Sequence, residues 1–226
     1  MHIIDLHTHN IPESAGSAVY CLPLGVTEIP AGQICSAGIH PWDAETAGEE
    51  QFAWVERMLS LDSVVSVGEV GFDRLRGPSL NIQEAVFARQ VELSEKYGKP
   101  LVIHSVKSTD LLLAMKRELC PAMPWAVHGF RGGTRLAGEL LDHGLSISFG
   151  VRSNPDALRY VGIDRLLAET DNHIGIDSVI SAMAPVLGIP ADVVTDRLQS
   201  NLSVFLGPVL ARWEKNCIFA SEQTDK

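Results

Sequence analysis

The sequence is short of several features, and each shortage excludes something. Lys plus Arg number 18 against 28 Asp plus Glu, a net charge of −10. That argues against an extended basic surface for duplex nucleic acid, though not against a small basic cleft. The four cysteines (Cys21, Cys35, Cys120, Cys217) show no CxxC spacing. The first residues, Met1-His2-Ile3-Ile4-Asp5, carry no basic segment followed by a long apolar one. Together these point to reduced thiols and a cytoplasmic setting. Every stretch without charged residues is shorter than the ~18 residues that a spanning helix needs. There is no internal repeat and no low-complexity tract. At 46% hydrophobic and 20% charged, the chain is not a disordered one. What it has in surplus is histidine, eight in all.

Short apolar runs alternate with longer amphipathic ones. Candidate strands are residues 2–6, 18–22, 33–37, 63–67, 100–103, 125–127, 145–149 and 165–168. Most are apolar throughout, the pattern of parallel strands buried on both faces. Candidate helices are 43–60 (capped by Asp43), 81–97, 108–117, 134–143, 178–187, 192–205 and 209–216. The helix over 81–97 carries Ala85, Ala88, Val91 and Leu93 at helical spacing and stops at Gly98-Lys99-Pro100. Eight strands in βα order predict a (β/α)₈ TIM-like barrel. The region from His9 to Gly38 holds two strands and no helix, so the first crossovers are expected to be shortened to loops. One domain over 1–220 and a frayed polar tail over 221–226 complete the expectation.

The polar residues that follow these strands form a set. The first strand runs into Asp5-Leu6-His7-Thr8-His9 and the third into Gly38-Ile39-His40-Pro41. The fourth runs into Gly68-Glu69-Val70-Gly71-Phe72-Asp73, the fifth into His104, the sixth into His128 and the eighth into Glu169-Thr170-Asp171. In a barrel all these ends meet on one face, where active sites lie. His7, His9, His104 and His128 with Glu69 and Asp171 then offer mixed nitrogen and oxygen ligands for divalent cations. Six ligands suffice for two ions if one carboxylate bridges, and such ions activate water for attack.

On these segments the sequence resembles the TatD-related metal-dependent hydrolases of the amidohydrolase superfamily. The matching stretches include Pro100-Leu101-Val102-Ile103-His104, His128-Gly129-Phe130-Arg131-Gly132 and Leu167-Ala168-Glu169-Thr170-Asp171, with Asn201 and Phe205 near the end. The resemblance covers residues 2 to about 207. It implies that His7, His9 and Asp171 hold one ion, that His104 and His128 hold a second, and that Glu69 bridges. Asp171 would also take a proton from the attacking water, which makes Asp171 and Glu69 the expected catalytic residues. The metal would be Mg, Mn, Zn or Ni. His40 would lie near the substrate phosphate rather than on a metal. The implied activity is phosphodiester hydrolysis, as a deoxyribonuclease acting on a DNA end or a small phosphoester. Alternatives are hydrolysis of a non-nucleic phosphoester, amide or lactone, and a metal-binding module without turnover. PHP-type phosphoesterases also open with HxH, but the GExGxD and ETD segments favour the TatD resemblance.

The sequence departs from the family pattern at Val106, where an Arg is usual, with Lys107 following. It departs again at Asn172-His173 in place of Ala-Pro, and in the short interval between His9 and Gly38. Arg131 and Lys107 are the expected substrate contacts, with Arg74, Arg76 and Arg135 as further candidates for a phosphate-binding rim. Arg131 leads because Gly132-Gly133 allows close backbone approach. Trp42 could stack on a base; Trp54, Trp125 and Trp213 read as core. Asp73 reads as a loop-orienting residue and Glu169 as either a cap or a partner to a ligand histidine. His2, His143 and His173 read as structural or surface residues, and Cys21 and Cys35 as core. No membrane partner is expected, and the assembly expected is a monomer or small homo-oligomer.

Overall fold

The computed structural model describes residues 3–173 and 175–215. Eight parallel strands close into a barrel in sequence order. They are β1 (Asp5–Thr8), β2 (Ala18–Cys21), β3 (Ile34–Ala37), β4 (Val64–Asp73), β5 (Leu101–Val106), β6 (Trp125–Val127), β7 (Ser146–Phe149) and β8 (Leu166–Ala168). The helices are α1 (Glu49–Leu59), α2 (Leu80–Tyr97), α3 (Thr109–Leu119), α4 (Thr134–Asp142), α5 (Pro155–Val161), α6 (Ile176–Leu187) and α7 (Ala191–Leu206). Residues 208–215 are also helical. The expected strand start at His2, the end of the last helix at Asn216, Cys217 and the 221–226 tail lie outside the described residues. No single helix among the described residues is long and apolar enough to cross a membrane.

The (β/α)₈ expectation holds, and so do the helix-free crossovers from β1 to β2 and from β2 to β3. Other boundaries differ for identifiable reasons. Asp43 does not cap α1, because it sits inside a 3₁₀ turn over Pro41–Thr46 that starts on His40. Pro41 pre-sets the backbone of that turn, and α1 begins only after Gly48. Helix α5 escapes the periodicity pattern because it is one short element. Its signal is local: Asn154 Oδ1 accepts from the Asp156 and Ala157 amides, with Pro155 in the first turn. Arg165 belongs to a 3₁₀ turn and not to β8.

Strand β4 runs six residues past its expected end at Val67. Gly71 has φ +137, and a Cβ there would lie 2.1 Å from the His104 carbonyl oxygen. Only glycine lets β4 continue beside β5 at that height, in register Gly71↔His104 and Asp73↔Val106. The prolonged strand is what carries Glu69 and Asp73 to the barrel rim.

Helix α2 also departs from expectation. Ala85 faces solvent, and the buried face is Gln83, Val86, Phe87, Gln90, Val91 and Ser94. Three of those six are polar, and each bonds backbone. Gln90 accepts from the Ile39 amide (2.6 Å) and donates to the Ile39 carbonyl (3.1 Å). Gln83 accepts from the Asp73 amide (2.8 Å) and donates to the Asp73 carbonyl (3.0 Å). The Ser94 hydroxyl donates to the Lys99 carbonyl (2.6 Å). Buried backbone groups at strand ends need partners, and α2 supplies them beside His40 and Glu69.

Lys99 is buried and donates to the Leu59 (2.5 Å) and Leu61 (2.9 Å) carbonyls at the end of α1. Burial pushes its ammonium down to about 8 from 10.5. A lysine depressed in the folded state binds its proton more weakly there than when unfolded. Stability therefore rises with pH from about 8 to about 10.5, by about 3 kcal/mol at most. We expect the urea-unfolding free energy of the wild type, minus that of Lys99→Met, to grow across that window. A flat difference would mean that the two carbonyls hold the proton against burial.

Candidate metal centre

The pleat decides which side chains reach the rim. Residues two apart on a strand share a face, so Val102 with His104, Ala126 with His128 and Leu167 with Glu169 point alike. The first of each pair lies in one buried apolar cluster with Val19, Ile34 and Val65. The second stands at the C-terminal end of its strand, where it meets the others.

Glu69 lies at the centre and is 5% exposed. Its Oε1 is 2.6 Å from His104 Nδ1, 2.6 Å from His128 Nε2 and 3.3 Å from His40 Nε2. Its Oε2 is 3.2 Å from His9 Nε2 and 3.4 Å from His7 Nε2. The His7 and His9 Nε2 atoms are 3.2 Å apart, and Asp171 Oδ1 is 3.7 Å from His9 Nε2. All six predicted ligands are thus brought together. His40 joins them, forming a close donor group with Glu69 and His104, and it also lines the first cavity, which is compatible with the expected place near the substrate.

Asp171 owes its place to a seam between β1 and the residues after β8. The His9 amide donates to the Asp171 carbonyl and the Asp171 amide to the His7 carbonyl, both at 2.9 Å. Asp5 locks the same seam, accepting from the Thr170 hydroxyl (2.6 Å), the Thr170 amide (3.1 Å) and the His7 amide (3.2 Å). Asp171 itself takes φ 54, a conformation rare for a non-glycine residue and concentrated at functional sites. Its side chain stays 27% exposed, in contact with both water and the cluster.

The electrostatics follow from this packing. Burial alone would raise Glu69, but the His128, His104 and His40 rings hold its carboxyl well below the usual range. Burial would lower His128, yet the Glu69 and Glu169 carboxylates raise it well above its usual value. Cys21 first, and then Glu69, push His9 up to about 10. Field that draws protons to imidazoles also draws a divalent cation. Five imidazoles and two carboxylates fit such an ion in both donor type and charge.

The surroundings set ring orientations. Glu169 Oε1 is 3.2 Å from His128 Nδ1 and accepts from the Gly129 amide at 2.6 Å. Of its two expected roles, this geometry matches that of a partner to the His128 ring. Asp73 orients its loop as expected: its carboxylate accepts from the Leu75 and Arg76 amides and the Trp42 indole, with His104 Nε2 at 3.3 Å. Trp42 is 39% exposed, but the Arg76 guanidinium covers one ring face at 3.5 Å. Trp54, Trp125 and Trp213 are buried as expected.

The basic residues separate. A cavity of about 360 Å³ opens over His9, Cys21, His40, Trp42, Glu69 and Asp171. A second, about 490 Å³, holds Lys107 and Arg131 and touches the centre through His104, His128 and Asp171. Arg74 lines neither cavity and pairs with Asp110 at 2.7 Å. Arg135 lines neither of them; it lines an outer groove with His143 and Tyr160. The close approach at Gly132 is made by the Phe130 and Leu136 side chains, which a Cβ would meet at 2.6 and 2.8 Å. His143 is half-buried and bonded to its own helix, and His173 is exposed. Cys35 and Cys21 are both buried as expected, and Cys21 also lines the first cavity. Gln83 and Gln90 are contributors that the sequence pattern does not reveal.

A family model described as TatD related DNase matches residues 25–175, more than half of the chain. The chain belongs to the TatD-related DNase family. The match to this TatD model takes in His40, Glu69, His104, His128 and Asp171. The chain is 32% identical over 143 residues to the uncharacterized metal-dependent hydrolase YabD of Bacillus subtilis, covering 59% of this chain and 56% of that one. It is 34% identical over 146 residues to the 3′-5′ ssDNA/RNA exonuclease TatD of Edwardsiella piscicida, covering 60% and 56%. It thus spans about half the length of the curated relatives it matches. The crystal structure of YJJV, a TatD homolog from Escherichia coli, shares the fold at TM-score 0.75 and 21% identity, over 90% of this chain and 97% of that one.

Removing the Glu169 side chain frees the His128 ring. We expect Glu169→Ala to weaken divalent-cation affinity by about 10–100-fold while the fold persists, measured by competition with a metal-sensitive dye. An unchanged affinity would show that His128 needs no such partner.

Proposed function

We propose that this TatD-family protein is a metal-dependent hydrolase that cleaves phosphodiester bonds at the end of a single nucleic-acid strand or in a small phosphoester. The observation that carries the reading is the convergence of imidazoles and a carboxylate from five other strand ends around Glu69, with open cavities beside them. His7, His9 and Asp171 would hold one divalent ion, His104 and His128 another, and Glu69 would bridge. When bound, such ions lower the pKa of water and offset charge building up on the phosphate.

The chain's own residues have separate tasks. Asp171 Oδ1, beside His9 and still reached by solvent, accepts the proton of the attacking water. The water oxygen bonds to phosphorus as the ester P–O bond breaks, and the leaving oxygen takes up a proton. Glu69, buried and bonded on both oxygens, holds the imidazoles in place. The guanidinium of Arg76 on Trp42 brings positive charge and an aromatic face to one rim. Lys107 and Arg131 bring charge to the other. These are isolated charges set in an acidic body, which suits a strand end or a small anion and not an extended duplex. The relatives named as exonucleases support a nucleic-acid substrate; those named only as hydrolases leave the small-phosphoester reading beside it.

Asp171→Asn is expected to lower kcat by about 10²–10⁴-fold, with KM little changed. The check is steady-state kinetics on a 3′-ended single-stranded oligonucleotide, a small phosphodiester, a phosphomonoester and a lactone, each with Mn²⁺ or Mg²⁺. Lactone turnover alone, or full activity in Asp171→Asn, would overturn the phosphodiesterase reading.

A further inference from the structure

Cys21 closes β2, a strand with no helix on either side of it in sequence, and its thiol lies on the wall of the first cavity. The donor atoms of His7, His9 and Cys21 all lie within 4.8 Å of one another. The thiol's hydrogen-bond acceptor is the Gly68 carbonyl at 3.7 Å, a weak contact for a weak donor. A cysteine that only fills core would be enclosed by apolar side chains, as Cys35 is. This one faces two imidazoles on the side of the centre where the hard oxygen of Asp171 also stands.

We propose that Cys21 is a sulfur ligand to the divalent ion held by His7 and His9, and that it biases this position toward thiophilic ions such as Zn²⁺ or Co²⁺ over Mg²⁺ and Mn²⁺. The inference rests on the metal-centre reading above and deepens it. The step balances simply: the thiol S–H bond breaks, its electron pair becomes the sulfur–metal bond, and one proton leaves to solvent per ion bound. Soft sulfur donors favour soft and borderline cations, whereas imidazole and carboxylate alone discriminate less. A coordinated thiol is deprotonated outright. With Cys21 added to His7, His9 and Asp171, that position would be softer than the one formed by His104 and His128, so the two positions would take different ions.

The test strips the full chain of metal and titrates it with Co²⁺ alone. We expect a near-ultraviolet sulfur-to-cobalt charge-transfer band that is absent in Cys21→Ser and present in Cys120→Ser, since Cys120 is exposed at the end of α3. Zn²⁺ affinity should fall by about tenfold or more in Cys21→Ser, with Mg²⁺ affinity changing less than about twofold. A wild-type spectrum without that band, or a band that survives Cys21→Ser, overturns sulfur ligation. The His7→Ala variant separates the two failures. Loss of Co²⁺ binding in His7→Ala without any such band leaves the imidazole centre standing and removes Cys21 from it. Absence of Co²⁺ binding in the wild type removes both.

Discussion

Much of the upper half of this barrel depends on one buried carboxylate. Taking a charge out of water costs several kcal/mol unless it is paired and hydrogen-bonded, and Glu69 is almost fully enclosed. Its two oxygens are met by rings from β1, β5, the end of β3 and the end of β6. No single neighbouring strand could supply that many partners; a closed barrel with parallel strands can, because it presents every strand end to one point. The arrangement attracts positive charge before any ligand arrives. Carboxylates on two sides raise the His128 ring well above its usual value, and a divalent ion answers the same field.

Several elements are built to keep that geometry. The inner face of α2 is half polar because it must satisfy the backbone of Ile39 and Asp73 as well as bury Phe87. The seam between β1 and the residues after β8 is stitched by Asp5, Thr170 and paired backbone bonds, which turns Asp171 toward His9. Glu169 and Asp73 accept from, or face, the second nitrogens of His128 and His104, fixing their planes. These supports are fully or mostly buried, whereas the basic residues of the two cavities are exposed. The centre is enclosed by packing, and the rims are open to solvent.

Much of this was legible in the sequence. Apolar runs marked the eight strands, and the polar residues after each run marked the side chains that converge on Glu69, because in a parallel barrel the chain position of a strand end is also its spatial position. The helix-free stretch between His9 and Gly38 was legible from its prolines and glycines. What escaped has physical reasons. Gly68 and Gly71 look like turn residues, yet Gly71 is there to let two strands approach, so β4 seemed to end too early. Gln83 and Gln90 look like solvent-facing polar residues on α2, since nothing in a helical pattern tells a glutamine that bonds buried backbone from one that bonds water. That the buried Cys21 also lines a cavity is hidden because an apolar strand and a cavity wall share the same pattern. That Arg74 pairs with Asp110, and that Arg135 lines an outer groove, are tertiary facts that a position after a strand end does not show.

The central claim is that the imidazoles gather around Glu69 to bind divalent cations, and metal content measures it most directly. The stripped chain should be reconstituted with Zn²⁺ or Mn²⁺, dialysed and analysed by inductively coupled plasma mass spectrometry beside Glu69→Gln. The account predicts stoichiometric metal on the wild type and a large loss on Glu69→Gln, in a variant that still shows the circular dichroism of the folded barrel. Equal metal on both proteins, or none on the folded wild type, would contradict it.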